Sequence, residues 1–209
     1  PPLLGLEKLP HRGFAKCIET AAAFRKAWDM PSVRNVIMVA RWGIYAEGTG
    51  NVSEANVRVR RFVEFDEDRN RAEFARLLRE TVTTLAASGK VVTLFGPVPE
   101  LPFNLPSEMI KDLMRGRTRD YAQLRSTFNA RQAAVFPVLQ EVSKIAGVRV
   151  LYPHEVLCNE LLCQNVDSGQ ALYLDDDHLS RAGAEKLMSL IDSALSPIGS
   201  PGMAPAALR

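Results

Sequence analysis

Three short apolar runs, Val36–Ala40, Val91–Phe95 and Val148–Tyr152, set the terms on which this chain can fold. The first two are near-continuous in apolar residues, the pattern of parallel strands buried on both faces rather than of a half-solvated sheet. Segments of helical period separate the runs. Phe14, Cys17, Ile18, Ala21, Ala22, Phe24 and Ala27 recur at that spacing up to Trp28, and Met30-Pro31-Ser32 stops the helix because proline disfavours helical geometry in the residue before it. Arg71–Ala87 shows the same period, with Asp66 or Asp68 as its cap and Ser88-Gly89 as its stop. Ser107 reads as the cap of a short helix, Asp120–Ala146 as a long one kinked at Pro137, and Ser180–Leu195 as the last. Val57–Phe65 alternates as one more strand would.

Helix and strand in alternation predict an α/β fold, an open and mostly parallel sheet flanked by helices. The expected domain covers residues 1–195, and the Pro- and Gly-rich stretch 196–209 reads as a disordered tail. In such sheets ligands sit at the carboxyl ends of the strands. Three segments should meet there: Arg41–Gly50, Gly96–Pro106, and the one that ends in Asp175 and His178.

That last segment, Leu172-Tyr173-Leu174-Asp175-Asp176-Asp177-His178-Leu179-Ser180-Arg181-Ala182-Gly183-Ala184, carries the chemistry. A carboxylate three residues before an imidazole, on a turn entering a helix, can hold Nδ1–H and leave Nε2 to take a proton from a nucleophile. The same spacing also arises as a helix cap beside a surface histidine. A serine would complete a triad. Asp167-Ser168-Gly169 is a polar turn with no apolar strand before it, and Ser193 lies mid-helix, so neither suits a strained strand-to-helix turn. His11 and His154 read as structural.

Composition narrows the classes further. The 26 basic residues against 24 acidic leave a formal charge of +2, which implies no polyanionic partner such as nucleic acid. Arg58-Val59-Arg60-Arg61 reads as the solvated face of a strand. No run approaches the roughly 20 apolar residues of a membrane span, and no signal peptide opens the chain, which begins Pro1-Pro2-Leu3-Leu4 as a piece of something longer would. Cys17, Cys158 and Cys163 allow three reduced thiols, a local Cys158–Cys163 disulfide, or a zinc site with His154 that lacks a fourth ligand.

Several of these motifs taken together resemble the SGNH-hydrolase-like domain fused behind the membrane domain of acyltransferase-3 proteins. They are the apolar strand followed by Ala40-Arg41-Trp42-x-x-Tyr45, the Gly96-Pro97-Val98-Pro99 loop, Cys158…Cys163, and Tyr173-x-Asp-Asp-Asp-His-Leu-Ser-x-x-Gly-Ala. The resemblance implies O-acylation of cell-envelope polysaccharide, with acetyl the commonest group, on the periplasmic side of the bacterial inner membrane. It implies Asp175 and His178 as catalytic residues and Cys158–Cys163 as a structural disulfide. Arg41, Trp42 and Gly43 then fall where the family's oxyanion or substrate contacts are sought, Trp42 through its indole N–H and flat face. Trp42 as a half-buried core aromatic and Arg41 as an ion-pair partner are the alternatives. Gly5 is a remote candidate for a second oxyanion donor.

The family's Gly-Asp-Ser block is not in the chain. By resemblance it belongs upstream of Pro1, together with the first strand and a cysteine that would partner Cys17. The chain alone should then be inactive. The implied partners are an N-terminal multi-pass acyltransferase-3 domain and an envelope polysaccharide acceptor. No cofactor or metal is expected in this domain, since the acyl group, derived from acetyl-CoA, arrives through the membrane domain. A carbohydrate esterase and a non-catalytic glycan-binding or docking module remain the other two readings.

Overall fold

The computed structural model describes Leu3, residues 23–48 and residues 67–196. The strand expected over Val57–Phe65, the start of the first helix and most of the expected tail lie outside those residues, as do Gly5, His11 and Cys17. In chain order the elements begin with α1 (residues 23–28), β1 (Asn35–Val39), α2 (Trp42–Glu47), α3 (Glu67–Ala87) and β2 (Val91–Phe95). Then come α4 (Leu105–Met114), β3 (Gln123–Leu124), α5 (Arg125–Arg131), α6 (Phe136–Val142) and β4 (Val148–Leu151). The last are α7 (His154–Leu157), β5 (Leu162–Cys163), β6 (Val166–Asp167), β7 (Gln170–Ala171), α8 (Arg181–Lys186) and α9 (Met188–Leu195).

The three apolar runs form one parallel sheet in the order β1-β2-β4, with Val36 beside Val92 and Val92 beside Val148. β3–β5 and β6–β7 are separate antiparallel ribbons of two strands each. This is the expected architecture, a parallel sheet flanked by helices. Val36, Met38, Val92, Leu94 and Val148 point to one face, where they pack with Phe74, Leu77, Leu78 and Val82 of α3 and with Val138, Leu139 and Val142 of α6. The 3.6-residue period of α3 puts these side chains on a single stripe.

β1 departs from expectation. It is buried on one face only, with Ile37 42% and Val39 68% exposed. Hydrophobicity alone cannot report that, among the described residues, this strand is the outermost of its sheet and has no helical cover on one face.

The long helix expected over Asp120–Ala146 is two short ones. The chain turns at Gln132–Val135, and Pro137 falls in the first turn of α6, where its missing N–H costs nothing. α4 is capped by Asn104, whose side chain accepts from the Ser107 N–H at 3.0 Å, so Ser107 receives the cap rather than supplying it. The last helix also breaks, at Leu187, into α8 and α9.

A second apolar cluster lies beside the sheet: Leu101, Leu105, Phe128, Leu157, Cys158, Cys163, Leu172, Tyr173 and Leu187. It joins α4, α5, α7, the ribbons and α8, and Cys158 and Cys163 are disulfide-bonded within it. Both sulfurs are thereby occupied with each other, which removes the zinc alternative.

Candidate active site

The segment from Leu172 to Ser180 folds back on itself. Leu174 N–H donates to His178 O at 2.8 Å, Ser180 N–H donates to Leu172 O at 2.9 Å, and Tyr173 pairs with Leu179 in an antiparallel bridge. Asp175 shapes the tip. Its Oδ1 accepts the backbone N–H of Asp177 at 2.9 Å and of His178 at 2.7 Å, while its Oδ2 lies 2.8 Å from His178 Nδ1. One side chain therefore makes the turn and orients the imidazole. Burial pushes the Asp175 carboxyl up, but the two amides and the ring outweigh it and hold it at about 2. In return the hydrogen bond that His178 Nδ1–H donates to Asp175 raises the His178 pKa, against some burial. The imidazole is 71% exposed, so with Nδ1 engaged its other nitrogen is open to a reactant.

The flanking residues lock this turn to the helix after it. Ser180 caps α8 by accepting from the Gly183 N–H at 3.2 Å, and its own hydroxyl donates to Ala171 O at 2.7 Å. Gly183 sits so close to the turn that a Cβ there would stand 2.2 Å from Leu172 O. Ser-x-x-Gly is thus a mechanical part of the motif: one residue ties the helix to the strand, and the other leaves room for it.

The turn is also fastened to the loop after β2. Leu101 N–H donates to Asp176 O at 2.7 Å and Leu105 N–H to Asp175 O at 3.2 Å. On the side of β1, Arg41 Nη1 lies 3.1 Å from Asp177 Oδ2, and its Nη2 lies 3.3 Å from Glu100 Oε2. Arg131 Nε approaches the same Glu100 oxygen at 3.4 Å. All three segments expected at the carboxyl end of the sheet do meet there.

Of the three residues sought as substrate or oxyanion contacts, only Arg41 reaches this rim, and it does so as an ion-pair partner. Trp42 is fully buried, donates its indole N–H to Phe95 O at 2.6 Å, and packs against Phe74. It opens α2 immediately after β1, which turns the ring inward; neither its N–H nor its face is available to a sugar. Gly43 is buried against the Gln132 amide, whose Oε1 lies 3.0 Å from the place a Cβ would take. Both are packing residues.

His154 is buried among Phe128, Phe136 and Tyr152, and burial pulls its pKa down to about 4. Ser168 lies on an exposed turn, where its hydroxyl donates to Asp167.

Three members of the rim escaped the sequence: Asp177, Glu100 and Arg131. Asp177 was hidden in a run of three aspartates. Glu100 left a trace, since a lone carboxylate between Val98-Pro99 and Leu101 must be paired if the loop is buried, and it is only 3% exposed. Asp175, Asp177 and His178 place one potential metal-ligating atom each within 4.8 Å of one another. Those atoms are already spent on each other and on Arg41, so a cation would have to displace the ring contact. A groove of about 490 Å3, lined by Glu47, Arg71, Ala130, Arg131, Ala133 and Ala134, adjoins this network through Arg131. Among the described residues no helix is long and apolar enough to cross a membrane.

Comparison with known proteins bears on the fold and the family. The fold is similar to that of the periplasmic domain of a lipopolysaccharide acetyltransferase from Salmonella ser. Paratyphi A, with a TM-score of 0.58 and 16% sequence identity over 93% of this chain and 68% of that one. No curated protein matches the sequence. The family model for the SGNH domain fused to AT3 domains matches residues 1–193, nearly the whole sequence, and the chain belongs to that family.

Proposed function

We propose that this chain is the acyl-handling domain of a membrane O-acyltransferase, one that moves an acyl group, acetyl first among the candidates, to a hydroxyl of a cell-envelope polysaccharide. The observation that carries the reading is the 2.8 Å contact between Asp175 Oδ2 and His178 Nδ1 on an exposed rim at the carboxyl end of a parallel sheet. Membership of a family fused to AT3 domains and the likeness to a lipopolysaccharide acetyltransferase domain support it. The domain would work on the periplasmic side of the inner membrane beside its acyltransferase-3 partner, which delivers the acetyl-CoA-derived group, and it needs no cofactor of its own.

The nucleophile in this reading is a serine upstream of Pro1, without which residues 1–209 do not turn over. His178 Nε2 accepts the serine proton as Oγ attacks the acyl carbon, then returns it to the leaving group, leaving an acyl-serine. A sugar hydroxyl attacks the acyl carbon next: His178 takes its proton and passes it to the serine Oγ as the acyl–serine bond breaks. Asp175 stays ionised throughout and stabilises the imidazolium. The 71% exposure of His178 also admits water, so an esterase is the second reading.

The complete protein, supplied with a labelled acyl donor and an envelope glycan, decides between the two. Label on the sugar is the expected result, while free acid alone would replace transfer by hydrolysis. A coding sequence with no Gly-Asp-Ser after an apolar strand upstream of Pro1 would overturn both in favour of a glycan-binding or docking module.

A further inference from the structure

His178 Nδ1 faces two carboxylates, not one. Asp175 Oδ2 is 2.8 Å away and Asp177 Oδ1 is 3.0 Å away, on the same turn. A single N–H can align well with only one acceptor at a time. Asp175 is committed, since its other oxygen already takes two backbone amides. Asp177 is differently placed. Its side chain is only 10% exposed, and its other oxygen is held by Arg41 at 3.1 Å. Arg41 cannot swing away freely, because Glu100 grips its second terminal nitrogen at 3.3 Å and is itself gripped by Arg131. The result is a line of alternating charge from the imidazole through Asp177, Arg41 and Glu100 to Arg131, drawn from the β1–α2 junction, the loop after β2, and α5.

We propose that Asp177 is a second positioning carboxylate for His178, and that Arg41 sets how strongly it acts. The proposal rests on the reading of His178 as the base. Two carboxylates against one ring favour the imidazolium over neutral imidazole more than one does. Arg41 acts on this pair in two ways: it holds Asp177 in its charged form against burial, and it places its own positive charge near the ring. The charged groups around the ring are therefore Asp175 and Asp177 on its own turn and Arg41 from the β1–α2 junction, with Asp176 adding repulsion at Asp177. Burial raises the Asp177 carboxyl to about 6 against the pull of Arg41 and His178, so without Arg41 it would give up its charge more readily.

The test is the titration of the His178 ring followed by NMR in the full chain, with the His178→Ala spectrum used to assign it among the three histidines. Asp177→Asn should lower the midpoint by about half a pH unit, less than the shift of a buried pair because the ring is mostly exposed. In an Arg41→Gln background the effect of Asp177→Asn should shrink, because Asp177 has lost the cation that keeps it ionised, and Arg41→Lys should restore that effect. Asp175→Asn, the reference, should lower the midpoint more. If Asp175→Asn moves the midpoint and Asp177→Asn does not, the second carboxylate is rejected while the dyad stands; if neither moves it, the dyad reading itself fails. An Asp177→Asn shift of the same size with and without Arg41 rejects the role of Arg41. Should Asp177→Asn fail to fold, Asp177→Glu decides in its place: a retained charge must retain the raised midpoint, and a midpoint as low as expected for Asn overturns the proposal.

Discussion

The sheet core and the cluster under the catalytic turn are built on opposite plans. The core of β1, β2, β4, α3 and α6 is built on a three-stranded parallel sheet and the 21-residue α3, whose apolar side chains repeat at fixed intervals. The second cluster is assembled from helices of four to ten residues, ribbons of two-residue strands and a disulfide. Regular periodicity gives the first its strength, while specific locks hold the second: an Asp-made turn, a serine cap, a glycine contact and a cross-link. The pair proposed as catalytic, Asp175 and His178, sits on the second. A rim that must present a reactive ring to solvent cannot also be covered, so its order has to come from local bonds rather than from burial.

The largest expected effect tests whether the locked region alone carries activity. In the complete protein His178→Ala should reduce glycan acylation by about 10^4-fold or more and leave thermal stability unchanged; retained acylation would remove His178 from the mechanism. Next, Gly183→Ala should strike the second region while sparing the first. Its Cβ would meet Leu172 O at 2.2 Å, a backbone atom with little room to move. A loss of about 3 kcal/mol is expected from such overpacking, read as a fall in denaturation midpoint, with His178 resonances displaced and those of Leu77 and Leu94 unchanged.

Replacing both Cys158 and Cys163 by serine should cost about 2 kcal/mol, the low end for a cross-link closing so short a loop. Hydrogen exchange would locate that loss. Faster exchange around Leu157 and Leu172 with unaltered β2 is the expected result, and uniform acceleration would show that the two regions open together. The smallest effect is a pH dependence. The Asp175 pKa is depressed in the folded state, to about 2 from 3.8, so its contribution to stability is present above pH 3.8 and is lost as pH falls toward 2. Asp175→Asn should be less stable than the parent at neutral pH, and the two should converge as pH falls through that window. A gap that persists to pH 2 would place the role of Asp175 in packing rather than charge.

The same contrast explains how far the sequence could be read. The three strands were legible as apolar runs and α3 by its helical period, and the alternation of the two pointed to a parallel sheet without giving the strand order. The pairing of Asp175 with His178 was legible because both groups lie within one turn. Other features depended on contacts distant in sequence. Trp42 read equally as a ligand-facing and as a half-buried core aromatic, because nothing near it reports that Phe95 O waits 53 positions away. The ion pair of Arg41 with Glu100 spans 59 positions, and nothing local in either segment names the other as its partner. The breaks at Gln132–Val135 and Leu187 contain neither glycine nor proline. There tertiary packing overrode helix propensities that sum to only a weak preference.

The turn made by Asp175 has a consequence for assembly. Its carboxylate, the two amides it binds and the ring it orients fall within three residues, so the dyad closes with almost no loop entropy. Such a unit requires little of the chain's long-range topology to form. It can be complete before the remainder of the domain has docked, and in the proposed mechanism a nucleophile arriving from elsewhere in the polypeptide would meet an imidazole already oriented by Asp175.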